Sequence, residues 1–116
     1  MACAAAIATL QVMLRDNLPA RAAELGDYFM GELNKLAEEF PGIYEKISGK
    51  GLLIGQHFVN GDVGYKVAAG LFKRKVLVAG TLIAAKAIRF EPPLIVKKEE
   101  IDEVLNRLRD TLKEIA

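Results

Sequence analysis

Apolar residues along this chain form stripes, and their period changes from one segment to the next. Leu18, Ala22, Leu25, Phe29, Leu33, Leu36 and Phe40 follow one another at steps of three and four. That spacing lines one face of an α-helix and predicts a long amphipathic helix over 18–40. Asn17 stands where a cap belongs, Pro19 is tolerated in the first turn, and Pro41-Gly42 stops the helix. Residues 1–14 are Ala-rich and helix-prone, with no capping side chain at their start. A helix that begins so abruptly fits a fragment or a split gene product.

The period then shortens to two. Residues 43–48 alternate as a strand, Gly49-Lys50-Gly51 supplies a tight turn, and residues 52–59 return as a second strand. So short a link joins antiparallel neighbours. Asp62 is placed to cap a third helix over 63–74, with Val63, Val67 and Leu71 on one side. Residues 75–79 and 87–90 read as two further strands, split by a Gly80-Thr81 turn and an Ala-rich loop. In the second of these, Ile88 and Phe90 point one way and Arg89 and Glu91 the other. Pro92-Pro93 cannot donate to a ladder and closes the strand.

A last helix starts near Lys98, with Glu99 and Glu100 in the first turn, where the helix dipole favours negative charge. Its buried stripe is Ile101, Val104, Leu105, Leu108, Leu112 and Ile115. The pattern predicts an α+β fold in the order ααββαββα. Its core would be a small, mainly antiparallel, four-stranded sheet with helices gathered on one face.

With 116 residues the chain makes a single domain, residues 1–116. An apolar content of 52% lies slightly above the globular average, which leaves room for one more buried face than a free domain needs. A net charge of +1 argues against nucleic-acid and anionic-membrane partners. The single cysteine, Cys3, excludes an internal disulfide and suits a reducing cytoplasm. No apolar run approaches a membrane span, and the start lacks a signal-peptide pattern.

Arg89 is the candidate for chemistry. Period two puts its guanidinium on the face away from the core, where it is a ready fork for a carboxylate. The competing reading is a surface arginine paired with Glu91, two residues on. His57, the only histidine, has no second ligand at metal spacing, so no metal is expected and a partly buried sheet histidine is the simpler role. Gly49-Lys50-Gly51 lacks the ending of a phosphate loop and precedes a strand, so it reads as a turn. Cys3 and Tyr65 read as packing residues.

Several short motifs share one order and spacing with a known family. They are Ala2-Cys3-Ala4-Ala5-Ala6, Gly49-Lys50-Gly51-Leu52, and the run VLVAGTLIAAKAIRFEPPL at 76–94. The chain resembles the C-terminal part of class III pyridoxal-phosphate aminotransferases, the ornithine, acetylornithine and 4-aminobutyrate group. The stretches FVNGDVGY at 58–65 and VAGTL at 78–82 look most like the putrescine aminotransferase branch. The resemblance implies that Arg89 grips the α-carboxylate of an acidic partner such as glutamate or 2-oxoglutarate. It also implies that the open face of the sheet turns toward the active-site cleft.

In the family, the cofactor lysine, the aspartate facing the pyridine nitrogen and the phosphate loops belong to a large domain on the N-terminal side. Lys86 matches no Schiff-base position. The resemblance therefore implies a small domain that assigns no catalytic and no cofactor-binding residue to this chain. Pyridoxal phosphate would belong to the intact enzyme, and none is expected for this chain alone. The partners implied are the large domain and, for the free chain, a second copy. The alternative is a stand-alone module or remnant that uses the fold for ligand binding or protein association.

Overall fold

The structure, a computed structural model, describes residues 1–80 and 85–116. It comprises helices α1 (Ala2–Arg15), α2 (Leu18–Glu39), α3 (Gly61–Lys73) and α4 (Lys98–Ile115), and strands β1 (Tyr44–Lys50), β2 (Leu53–Phe58), β3 (Ala79–Gly80) and β4 (Ala87–Phe90). The sequence order is the expected ααββαββα. The four strands form one antiparallel sheet in the order β1-β2-β4-β3.

Period two sorts the sheet into two faces. Ile54, Gln56 and Phe58 of β2 and Ile88 and Phe90 of β4 are buried under α2 and α3. The helical stripes meet them there. Phe29, Leu33 and Leu36 of α2, Val67 and Leu71 of α3, and Ile101, Leu105, Leu108 and Leu112 of α4 belong to one core. Phe29 stacks on Phe90 at 5.1 Å between ring centroids. Polar contacts pin the helices from outside. Arg109 forks both oxygens of Glu39 at 3.0 and 3.1 Å, and Arg74 pairs with Glu114.

Helix α2 crosses the β1–β2 link at backbone contact. A Cβ on Gly26 would lie 2.2 Å from the Gly51 carbonyl oxygen, so only glycine fits. Gly51 itself sits at φ +57, where a side chain is strained. α1 differs from the other helices because it has no buried residue. It carries Ile7, Leu10 and Leu14 into solvent, and the molecule is elongated to 47 × 26 × 23 Å.

Several local expectations are corrected. Asn60, not Asp62, caps α3, its side chain accepting from the Val63 amide at 2.9 Å. Asn17 occupies the N-cap of α2 in a left-handed conformation at φ 47 and makes no capping bond with its side chain. Strand β1 continues through Gly49 and Lys50, so the turn falls later than the glycine pair suggests. The predicted strand 75–79 shrinks to Ala79–Gly80. Lys75 takes φ 60, and the Val76 amide turns back to the Leu71 carbonyl at 2.9 Å, so the chain caps α3 there before it can extend. Gly80 lies in β3, while Thr81 and most of the Ala-rich loop lie outside the described residues. Cys3 is exposed and Tyr65 is 75% exposed, so neither packs as expected.

Candidate substrate-carboxylate site

The open face of the sheet is built from the residues that alternation sends away from the core. Register sets them in rows. Ser48 pairs with Gly55, and Gly55 pairs with Arg89, so the three lie in one line across β1, β2 and β4. Ala79 extends the line onto β3. Beside it, Lys46 pairs with His57 and His57 with Ala87. The residue directly opposite Arg89 on each side is therefore small.

Arg89 is 45% exposed and Glu91 41%, with Arg89 Nε 2.9 Å from Glu91 Oε1. Both readings of the sequence meet here. The guanidinium stands on the helix-free face, and it has a same-face carboxylate two residues on. The pair is not buried, so an incoming carboxylate competes with Glu91 in a setting where an exposed ion pair contributes about 0–1 kcal/mol. Pro92-Pro93 ends the strand directly after it.

Two concavities meet at Arg89. One, of about 310 Å³, lies over the open face and includes Ser48, Lys50, Leu53, Gly55, His57 and Ala87 in its lining. The other, of about 460 Å³, runs past the β4 end to Pro92, Val96 and Ile101 and is mostly apolar. His57 is half-buried on the predicted face, and its Nε2 lies 3.1 Å from Ser48 Oγ. Sequence reasoning missed that partnership. Alternation places both residues on one face, but their contact needs the β1–β2 register, which no short motif states.

At the far end of the face, Glu45 stands at an irregularity in β1 and pairs with Lys86. The hydrogen bond from Lys86 and its charge hold the Glu45 carboxyl below its ordinary value. On the covered face, burial pushes the Tyr44 hydroxyl well above its ordinary value, and that hydroxyl donates to Gln56 Oε1 at 3.1 Å. Gln56 Nε2 has no partner among the described residues.

Comparison with known proteins gives this face its context. The family model described as aminotransferase class-III matches residues 1–112. The chain belongs to the class III aminotransferase family. An acetylornithine aminotransferase from Elizabethkingia anophelis is similar at 30% identity with a TM-score of 0.88, over 97% of this chain and 30% of that one. A lysine aminotransferase from M. tuberculosis is similar at 29% identity with a TM-score of 0.87, over 93% of this chain and 24% of that one. An aminotransferase from Bacillus anthracis matches at 25% identity with a TM-score of 0.85, over 97% of this chain and 28% of that one. The chain thus spans between 24% and 30% of the length of these aminotransferases.

Class III aminotransferases depend on pyridoxal phosphate. A lysine that bonds to this cofactor is activated where burial or a neighbouring cation favours its neutral amine. Lysines here lie on the surface, except half-buried Lys86, whose ammonium is held by Glu45. The half-exposed guanidinium of Arg89 has the chemistry to take an anion in place of Glu91. No helix of the described residues is long and apolar enough to cross a membrane, and they contain no group of acidic, histidine and cysteine side chains suited to a metal.

Proposed function

We propose that this chain is the C-terminal small domain of an aminotransferase that moves an amino group from a diamine or ω-amino donor, of putrescine or ornithine type, to 2-oxoglutarate. The branch rests on the resemblance of residues 58–65 and 78–82 to putrescine aminotransferases. Arg89 is the clamp for the acid partner's carboxylate. The observation that carries this role is its place: a half-exposed guanidinium on the helix-free face, opposite a glycine, at the mouth of two concavities.

A guanidinium suits the task because two parallel N–H donors fix a carboxylate's orientation as well as its charge. Pyridoxal phosphate, held by the large domain, supplies the electron sink for the reaction. This domain binds and orients the acid and closes one wall of the cleft. The exposed apolar stripe of α1 is the surface that the large domain covers, in a cytoplasmic enzyme.

The test is an assay for glutamate formed from putrescine or ornithine and 2-oxoglutarate. It compares a polypeptide joining this chain to its large domain with the same polypeptide carrying Arg89→Lys. Amine-dependent glutamate in the first and a raised requirement for 2-oxoglutarate in the second support the reading. Activity indifferent to Arg89 removes the clamp from it, and activity with none of these amines removes the substrate class.

A further inference from the structure

We propose that the groove between α3 and α4 docks an acidic amphipathic helix of another protein. It holds about 470 Å³ between Tyr65, Lys66 and Lys73 of α3 and Thr111, Glu114 and Ile115 of α4. The groove lies among the helices, whereas Arg89 stands on the helix-free face of the sheet, so the inference does not depend on the clamp.

Two aromatic rings of α3 are left in water. Tyr65 is 75% exposed and Phe72 67%. Seven residues apart, they stand two turns from one another on one side of the helix, about 10.5 Å along its axis. Half-buried Ala69 lies between them, so the rings flank a shallow apolar spot. The floor beside it is tight. A Cβ on Gly70 would lie 2.4 Å from Thr111 Cγ2, so α3 and α4 touch there. Thr111 Oγ1 is already satisfied by the Arg107 carbonyl at 2.9 Å. A rigid floor flanked by exposed rings suits the apolar face of a helix.

Charge selects the occupant. The lysines that pair with carboxylates are Lys35, Lys86, Lys98 and Lys113; Lys66 and Lys73 have no such partner among the described residues. Glu114 is the one carboxylate among the described lining residues, and Arg74 already holds it. The groove therefore presents two uncompensated cations, themselves two turns apart. A helix with Glu at i and i+7 and Leu at i+3 and i+4 meets both lysines and sets its apolar residues over Ala69, between the rings. Other occupants fit less well. Pairing α3 with α3 of a second copy would bring Lys66, Lys73 and Lys75 of both copies together, and α1 of a second copy offers no acidic side chain. A single-stranded nucleic acid stacks successive bases on rings set close together, whereas these rings are two turns apart.

The test uses the 116-residue chain and two fluorescent synthetic peptides. One is a helix former with Glu at i and i+7 and Leu at i+3 and i+4; the other has Lys in place of each Glu. Anisotropy titrations compare the natural chain, Tyr65→Ser with Phe72→Ser, and Lys66→Glu with Lys73→Glu. All four positions are exposed, and melting curves check that both variants fold. Where a double variant unfolds, the single substitutions Phe72→Ser and Lys66→Glu are read instead. The expected result is that the natural chain binds the Glu peptide about tenfold tighter than the Lys peptide, and that removing the rings weakens it about tenfold. The chain with both lysines reversed takes the Lys peptide instead. Binding of neither peptide, binding indifferent to the rings, or loss of the Glu peptide without gain of the Lys peptide overturns the proposal. So does tighter binding of a labelled oligouridine, which would make the face a nucleic-acid surface. Self-association abolished by Tyr65→Ser with Phe72→Ser also overturns it, and assigns the face to a second copy.

Discussion

Arg89 stands directly opposite Gly55 in the antiparallel β2–β4 ladder. The residue directly opposite has no side chain, and the only ion pair the Arg89 guanidinium makes among the described residues is with Glu91 on its own strand. An arginine held this way contributes little to folding and is available to a ligand. Arg89→Lys and Arg89→Ala are therefore expected to change the melting free energy by less than about 1 kcal/mol. Thermal or denaturant melts check this. A loss of several kcal/mol would show that the residue is a structural ion pair.

Two glycines of α2 make a matched experiment on packing. Gly26 faces the Gly51 backbone at a distance no Cβ can occupy, whereas a Cβ on Gly31 meets nothing within 4 Å. Gly26→Ala is expected to destabilise by about 1–3 kcal/mol through forced separation of α2 from the hairpin. Gly31→Ala is expected to stabilise by about 0.5–1 kcal/mol, since alanine is the better helix former. Denaturation midpoints of the two variants read both effects.

Acid should loosen the contacts between helices. Tyr28 of α2 hydrogen-bonds the Asp102 carboxylate of α4, and Lys98 sits over the Tyr28 ring at 4.1 Å while pairing with the same carboxylate at 3.0 Å. Tyr28 and then Lys98 hold Asp102 below its ordinary value of 3.8, and Arg109 does the same to Glu39. A depressed folded value means that the stabilisation is fully present above the unfolded value, near pH 4, and disappears as pH falls through the folded one. Stability should therefore be flat through neutral pH and decline below about pH 4. Asp102→Asn should make that decline shallower. Melting temperature against pH, in both chains, checks the sign.

The free chain should self-associate through α1. Ile7, Leu10 and Leu14 are 57%, 58% and 78% exposed and recur at helical spacing. Sedimentation should show mass rising with concentration, and replacing the three by Ser or Gln should return a monomer. A strict monomer at high concentration, with no binding of a hydrophobic dye, would contradict the proposal.

How much of this was legible in the sequence depended on how local each signal is. The stripes from Leu18 to Phe40 and from Ile101 to Ile115 state their helices because every turn repeats the message. The alternation around Arg89 states its face for the same reason. Boundaries were less legible where two local signals compete, as at Lys75, where a helix cap took residues that read as strand. Asn60 and Asp62 both suit a cap, and only the backbone geometry chose Asn60. The Ser48–His57 contact and the approach of Gly26 to Gly51 depend on pairing between distant residues, which no single segment encodes. Packing of Cys3 and Tyr65 was wrongly expected because helical position alone does not say whether another element lies above it.

The central claim is that Arg89 holds the acid partner. The direct measurement is the pair of half-reactions in the full-length aminotransferase, for the natural enzyme and for Arg89→Lys. The account predicts an unchanged rate and affinity for the amine half-reaction, where the donor brings no carboxylate, as with putrescine. It predicts weaker 2-oxoglutarate use by about 1–3 kcal/mol, because a two-pronged clamp becomes a single point charge. Equal loss in both half-reactions, or no loss in either, would contradict it.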